Sequence, residues 1–264
     1  MIGSPLDDGT PDPFEEPWAE PEAPPRPRRW WVPVLVLVVA GALLVAFVPG
    51  LYLQERVGSG TGFVIGEAGY ILTAAHVVRG ARQVTVEWAG RRYRAAVVAT
   101  TADHDLAVVA VAGARPMPRA VLGNSDFVHI GDEVTAIGYP EGRAWPTALT
   151  TEVLGVGWRA IGPEDAVLTD LLAVRDPFRA GYSGAPLVNA SGEVVGVVAG
   201  NLSTGGGQEA GFAVSVNLAR VWLAGRGISL PPVASSQGVA LSPAEVVQAV
   251  QRSVVRIEVQ VPRG

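Results

Sequence analysis

The sequence contains no cysteine and no lysine, and only three histidines and two methionines among 264 residues. Without cysteine there can be no disulfide, no thiolate metal site and no thiol nucleophile. All 20 cationic residues are arginine, a pattern we read as compositional bias of the genome rather than mechanism. Charge is sparse as well, at 17% of residues with a formal net charge of -5. No basic stripe is present to meet phosphates, so nucleic acid is not an expected partner. No metal or organic cofactor is implied. What the chain has in quantity is apolar residues (48%) and 32 glycines, enough core material for one large domain or two small ones.

The apolar residues are unevenly spread. Residues 1–29 hold eight prolines and seven Asp or Glu with almost no aliphatic side chain. Such a segment buries too little apolar surface to offset its ordering entropy, so a disordered acidic tail is expected there. From Trp30 to Leu53 the composition inverts: "WWVPVLVLVVAGALLVAFVPGLYL" carries no charge at all. About 20 apolar residues span the hydrocarbon core as a helix. Trp30, Trp31 and Tyr52 fit interfacial aromatic belts. Arg26, Arg28 and Arg29 precede the run, so the positive-inside rule places the tail in the cytoplasm and the rest outside. A cleaved signal peptide is the rival, but its leading region would be unusually long and acidic, and no small-residue cleavage site follows. The expectation is a retained single-pass anchor with an extracytoplasmic domain.

From Gly58 onward, short runs rich in Val, Ile and Thr alternate with Gly, Asn, Asp and Pro turns. "TGFVI", "GYILTAA", "QVTVEWAG", "RYRAAVVAT", "DLAVVAV", "DEVTAIGYP", "ALTTEVLGVGW", "AVLTDLLAV", "GEVVGVVAG" and "AGFAVSV" all read as strands. Many short strands with regular punctuation predict an all-β sandwich or barrels rather than βαβ units. Two helices stand out. Asn217 is a candidate cap for "LARVWLAG", which stops at Gly225. Ser242-Pro243-Ala244-Glu245 reads as a capping box with proline at the first helical position, opening "AEVVQAVQR".

The stretch "AGYSGAPLV", Ala180 to Val188, sets a serine between glycines. Alone it is no more than a turn in a glycine-rich chain. For Ser183 to attack a carbonyl it needs a base in reach and an acid to orient that base. The three histidines are the candidates. His129 reads as a surface residue, His104 sits beside Asp105 in "DHDLAVV", and His76 closes "GYILTAAH", where small neighbours leave an imidazole open on two sides.

Taken in order, "GSGTGFVI…GYILTAAHVV", "DHDLAVVAV", "LGNSDFVHIGDEVTAIGYPEG", "GYSGAPLVNASGEVVGVVAG" and "GFAVSVN" resemble a trypsin-like serine protease of the HtrA/DegP kind. The resemblance covers residues 58 to about 222. It implies two six-stranded antiparallel β-barrels with the active site between them. It also implies His76 as general base, Asp105 as orienting acid and Ser183 as nucleophile, with the N–H groups of Gly181 and Ser183 as an oxyanion hole. The specificity pocket it implies lies near Phe178, Val197, Val198, Ala199, Gly200, Phe212, Ala213 and Val214. No acidic residue stands among those positions, so cleavage after small or medium aliphatic residues is expected. The chain departs from the family in Tyr182 before the serine, Ala180 before the oxyanion glycine, and Ala185 at the second position after the serine. "VRDPFRAGYS" is thus a candidate switch loop.

Members of that family open with a helix and a strand before "GSGTGF". Here Val48 to Val57 leave too little room for both, whereas the C-terminal stretch reads "SPAEVVQAVQRSVVRIEVQVPRG". We therefore expect a circular permutation. Residues 226–241 would act as linker, and residues 242–264 as helix plus strand completing the N-terminal barrel, with Ser253 to Gln260 beside Thr61 to Ile65. Pairing with a neighbouring molecule, or a vestige of a second protease copy, are the other readings. The stretch after Gly225 is too short for a PDZ domain, the tethering module common in the family. The expected function is a membrane-anchored serine endopeptidase acting on misfolded or signalling proteins outside the cytoplasm, in protein quality control, with a homo-oligomer possible. The alternative is a proteolytically inactive, protease-like binding or sensor module. An α/β-hydrolase esterase does not fit the His-Asp-Ser order.

Overall fold

A computed structural model describes residues 35, 37, 56–66, 69–113, 116–141, 143–162, 166–203, 209–233 and 240–262. The acidic tail and the predicted membrane span lie outside these, apart from Leu35 and Leu37, both helical. Among the described residues, no helix is long and apolar enough to cross a membrane. Part of the expected linker, 234–239, also lies outside them.

Among the described residues, twelve strands form two closed six-stranded barrels. The first contains β1 (Arg56–Val64), β2 (Tyr70–Ala74), β3 (Gln83–Trp88), β4 (Arg91–Thr101), β5 (Leu106–Val111) and β12 (Val254–Val261). A single helical turn, α1 (Ala75–Val78), follows β2. The second barrel contains β6 (Glu133–Gly138), β7 (Thr147–Ile161), β8 (Val167–Val174), β9 (Pro186–Val188), β10 (Val194–Ser203) and β11 (Glu209–Ser215). All pairings within both barrels are antiparallel. The expected all-β architecture is what the chain adopts.

The order around the first barrel is β1-β12-β3-β4-β5-β2. Strand β12 therefore lies between β1 and β3, pairing Thr61 with Arg256 and Val86 with Ile257. Its alternation explains the register. Val255, Ile257 and Val259 are buried, while Arg256 and Glu258 face outward. A slip of one residue would turn the apolar set to solvent, so the pattern itself fixes the pairing. On the outer face Arg256 meets Glu87 at 3.8 Å and Glu258 at 3.5 Å, contacts that add little to stability where they are solvated.

Two further helices flank the barrels: α2 (Val216–Ala224) and α3 (Pro243–Val250). Helix α3 opens on the expected capping box, with Ser242 and Glu245 bonding reciprocally. Its Val246 and Val250 pack with Val254 against Ile137 and Val188 of the second barrel. Helix α2 corrects the expected cap. Ser215, not Asn217, is the N-cap, accepting from the N–H of Leu218. Strand β11 runs straight into the helix, so the cap falls on its last residue. Asn217 instead donates to the side chain of Asn124 at 2.6 Å. The largest core cluster joins the barrels, placing Phe63, Leu72, Leu106 and Val108 of the first against Leu171, Val197 and Phe212 of the second.

Candidate active site

His76 sits on α1, directly after β2 and the two small residues Ala74 and Ala75. Asp105 ends the turn between β4 and β5 in a left-handed conformation, φ 49°, which Asp tolerates better than most residues. Its carboxylate is 1% exposed, so both oxygens need partners. Oδ1 accepts from the backbone N–H of His76 at 2.9 Å and Oδ2 meets His76 Nδ1 at 2.6 Å. A carboxylate only accepts, so a neutral imidazole in this pose carries its proton on Nδ1 and keeps the lone pair of Nε2. The Asp105 carbonyl also accepts from Ala75 N–H at 2.9 Å, tying the turn to the base of α1.

Ser183 lines the same cavity as His76, a cleft of about 360 Å³. Among the described residues no hydrogen bond joins the serine hydroxyl to the imidazole; such bonds often tighten only once substrate is in place. The loop around Ser183 is held carbonyl by carbonyl. Ala180 O accepts from Glu141 N–H at 2.9 Å, Tyr182 O from Ala185 N–H at 2.8 Å and Ser183 O from Thr61 N–H at 2.9 Å. Gly181 O accepts from the Thr61 hydroxyl at 2.7 Å. Gly181 itself has φ 95°, and a Cβ there would lie 2.3 Å from the Tyr139 carbonyl oxygen. Only glycine fits that turn. Among the described residues, no acceptor engages the N–H of Gly181 or of Ser183. Both are available to an oxyanion.

The departure at Tyr182 has a structural reason. Its side chain is 3% exposed, its ring lies 6.1 Å from that of Phe178, and its hydroxyl donates to Thr147 O at 3.0 Å. Burial pushes the phenol pKa up, keeping the hydroxyl a donor. The aromatic ring thus anchors the serine loop to the second barrel. Ala185 is fully buried and shares a core cluster with Tyr182.

Of the expected pocket residues, Ala199, Gly200 and Phe212 line the cleft. Phe178, Val197, Val198, Ala213 and Val214 do not; they are buried in the barrel behind it. Val197 and Val214 join the core cluster shared by the two barrels, and Phe178, Val198 and Ala213 pack in a second cluster with Tyr182 and Leu187. Missed by the sequence reading were Ala160, Ile161, Leu168 and Leu171 of β7 and β8, Gly162 just after β7, and Asn201 and Leu202 of β10, all of which also line the cleft. Strands β7 and β8 pair with several register shifts, which nothing in a periodic pattern announces. The ring of Trp158 lies 5.8 Å from that of Phe212. The other two histidines stand apart: His129 is exposed beside Asp132, and His104 Nδ1 is buried without a hydrogen-bond partner.

Residues 60–197 match the trypsin-like peptidase domain family. The chain is 35% identical over 169 residues to the magnetosome formation protease MamE of Paramagnetospirillum magneticum, covering 62% of this chain and 23% of that protein. It is 34% identical over 168 residues to a probable periplasmic serine endoprotease, DegP-like, of Halomonas elongata, covering 63% of this chain and 34% of that protein. Among solved structures, the HtrA-type protease AlgW with a decapeptide is similar at TM-score 0.56 and 30% identity, covering 62% of this chain and 50% of that one. The chain thus spans 23% and 34% of the length of these two curated relatives.

Proposed function

Because the chain belongs to the trypsin-like peptidase family, we propose that it is a serine endopeptidase with His76 as base, Asp105 as orienting acid and Ser183 as nucleophile. The observation that carries this reading is the double attachment of His76 to a buried Asp105 at the edge of the cleft that Ser183 lines. With Nδ1–H held by the carboxylate, Nε2 takes the serine proton as Oγ attacks the peptide carbonyl. The imidazolium formed is stabilised by Asp105, and the negative oxygen of the tetrahedral intermediate is received by the N–H groups of Gly181 and Ser183. His76 then protonates the leaving amine. Water, activated by the same imidazole, attacks the acyl-enzyme and frees Ser183.

The cleft walls support a preference for small or medium aliphatic side chains, since Ala160, Leu168, Leu171, Ala199 and Phe212 offer apolar surface and no carboxylate. A peptide-library profile should show Ala, Val or Leu before the cut; a dominant Arg would overturn this. We further propose that residues 30–53 anchor the enzyme in a membrane with residues 1–29 in the cytoplasm, consistent with the periplasmic designation of the DegP-like relative. The place of β12 between β1 and β3 supports a circularly permuted arrangement, in which a C-terminal segment fills the position of the family's first strand.

The test is labelling of the full chain with a fluorophosphonate probe, beside Ser183→Ala and His76→Ala. We expect labelling of the wild type and loss in both variants. Labelling that persists in Ser183→Ala would place the reactive group elsewhere. No labelling in any of the three would favour an inactive, protease-like binding module.

A further inference from the structure

Thr61 belongs to the first barrel, yet it grips the serine loop of the second at two points. Its backbone N–H donates to Ser183 O at 2.9 Å. Its hydroxyl donates to Gly181 O at 2.7 Å and accepts from Tyr139 N–H at 2.9 Å. Its own carbonyl accepts from the Thr73 hydroxyl at 2.7 Å. Thr61 and Thr73 are both 0% exposed. Every polar group of this one residue is therefore committed, and none to water.

The directions matter. Ser183 N–H lies in the peptide plane between residues 182 and 183. Thr61 fixes the planes on either side of it, through Gly181 O and Ser183 O. Gly181 N–H lies in the plane between residues 180 and 181, whose carbonyl is held by Glu141 N–H at 2.9 Å. Glu141 follows Tyr139 by two residues, and Tyr139 N–H is seated on the Thr61 hydroxyl. Thr61 thus holds both planes that flank the Ser183 N–H and stands one link from the plane that carries the Gly181 N–H. Resting on the serine-peptidase reading above, we infer that Thr61 is a positioning residue. It aims the two oxyanion N–H groups, and it makes their alignment depend on the docking of one barrel against the other.

A hydroxyl is required here, whereas the shape alone is not sufficient. Thr61→Val keeps the volume and removes the donor to Gly181 O and the acceptor for Tyr139 N–H, leaving two buried groups unpaired. Thr61→Ser keeps both bonds. Since removing one oxyanion donor outright costs on the order of 100-fold or more in kcat, loss of its aim should lower kcat by about 10- to 100-fold with KM little changed, while Thr61→Ser stays within about threefold of wild type. The affinity of a peptide boronate, whose oxygen occupies the same place, should fall by the same factor as kcat.

The measurement that tests this without relying on turnover is the amide NMR signals of Gly181 and Ser183 in the full chain. We expect them displaced or broadened in Thr61→Val and unchanged in Thr61→Ser. Unchanged signals and wild-type kcat in Thr61→Val, or a Thr61→Ser variant as impaired as Thr61→Val, would overturn the positioning role. If Thr61→Val does not fold, Thr61→Ala, which fits the same space, is read by the same criteria. Signals displaced in Thr61→Val, with a wild type that hydrolyses nothing, would instead overturn the peptidase reading and leave the positioning role standing.

Discussion

A chain ending at Leu241 should lose both cooperative unfolding and fluorophosphonate labelling. Strand β12 is not an appendage of the first barrel but an interior member, with β1 on one side and β3 on the other. Its removal uncovers two strand edges at once and opens the barrel. It also withdraws Val254, Val255, Ile257 and Val259, each no more than 3% exposed. A fully buried Val or Ile contributes about 1.5–3 kcal/mol, so four together are on the scale of a whole domain's net stability, about 5–15 kcal/mol. Helix α3 goes with them, unpacking Ile137 and Val188. Circular dichroism melting and probe labelling read the two losses separately. Adding a peptide of residues 242–262 in excess should restore part of the labelling. A truncated chain that melts and labels like the full one would show that β12 is dispensable.

The second large effect is expected from Asp105→Asn, with kcat lower by on the order of 10⁴ and the fold intact. The carboxylate accepts two bonds, one from the backbone N–H of His76 and one from Nδ1. A carboxamide has a single accepting oxygen. If that oxygen keeps the backbone N–H, the amide NH₂ faces Nδ1 and forces the proton onto Nε2, where the base should receive one. If the amide turns over, NH₂ confronts the backbone N–H. The second arrangement would keep the tautomer but sets two donors against each other in a buried site, so the first prevails and leaves His76 unable to take the serine proton. Single-turnover acylation by a peptide ester measures this step, and thermal unfolding checks that the 1% exposed site tolerates the change. Activity within tenfold of wild type would remove Asp105 from the mechanism.

Sequence reasoning reached the strands because Val and Ile alternation sets which face is inward. It reached His76, Asp105 and Ser183 as candidates through the resemblance carried by five motifs in one order, since no one of those motifs is specific alone. What escaped it depends on contacts between distant segments. The three-residue β9 was hidden in "AGYSGAPLV" because its strand character comes from the neighbours β6 and β10. The cleft lining from Ile161, Leu168 and Leu171 lies on strands whose register shifts no periodic pattern announces. Thr61 read as one more strand residue, since its hydroxyl acquires meaning only when Gly181 arrives from the other barrel. The cap of α2 was displaced from Ser215 to Asn217 because strand and helix meet without a loop.

The position of β12 also sets a timetable. On a ribosome the chain emerges from its N-terminus, and domains generally fold as units during synthesis at about 5–20 residues per second. Here the first barrel cannot close until the strand that separates β1 from β3 has been made, after the whole of the second barrel. The second barrel needs no such late arrival. Its six strands, β6 to β11, are consecutive. A nascent chain would therefore carry Ser183 on a finished scaffold while Thr61, His76 and Asp105 still belong to an open sheet. On the peptidase reading, hydrolytic competence would then wait for the last strand to be made.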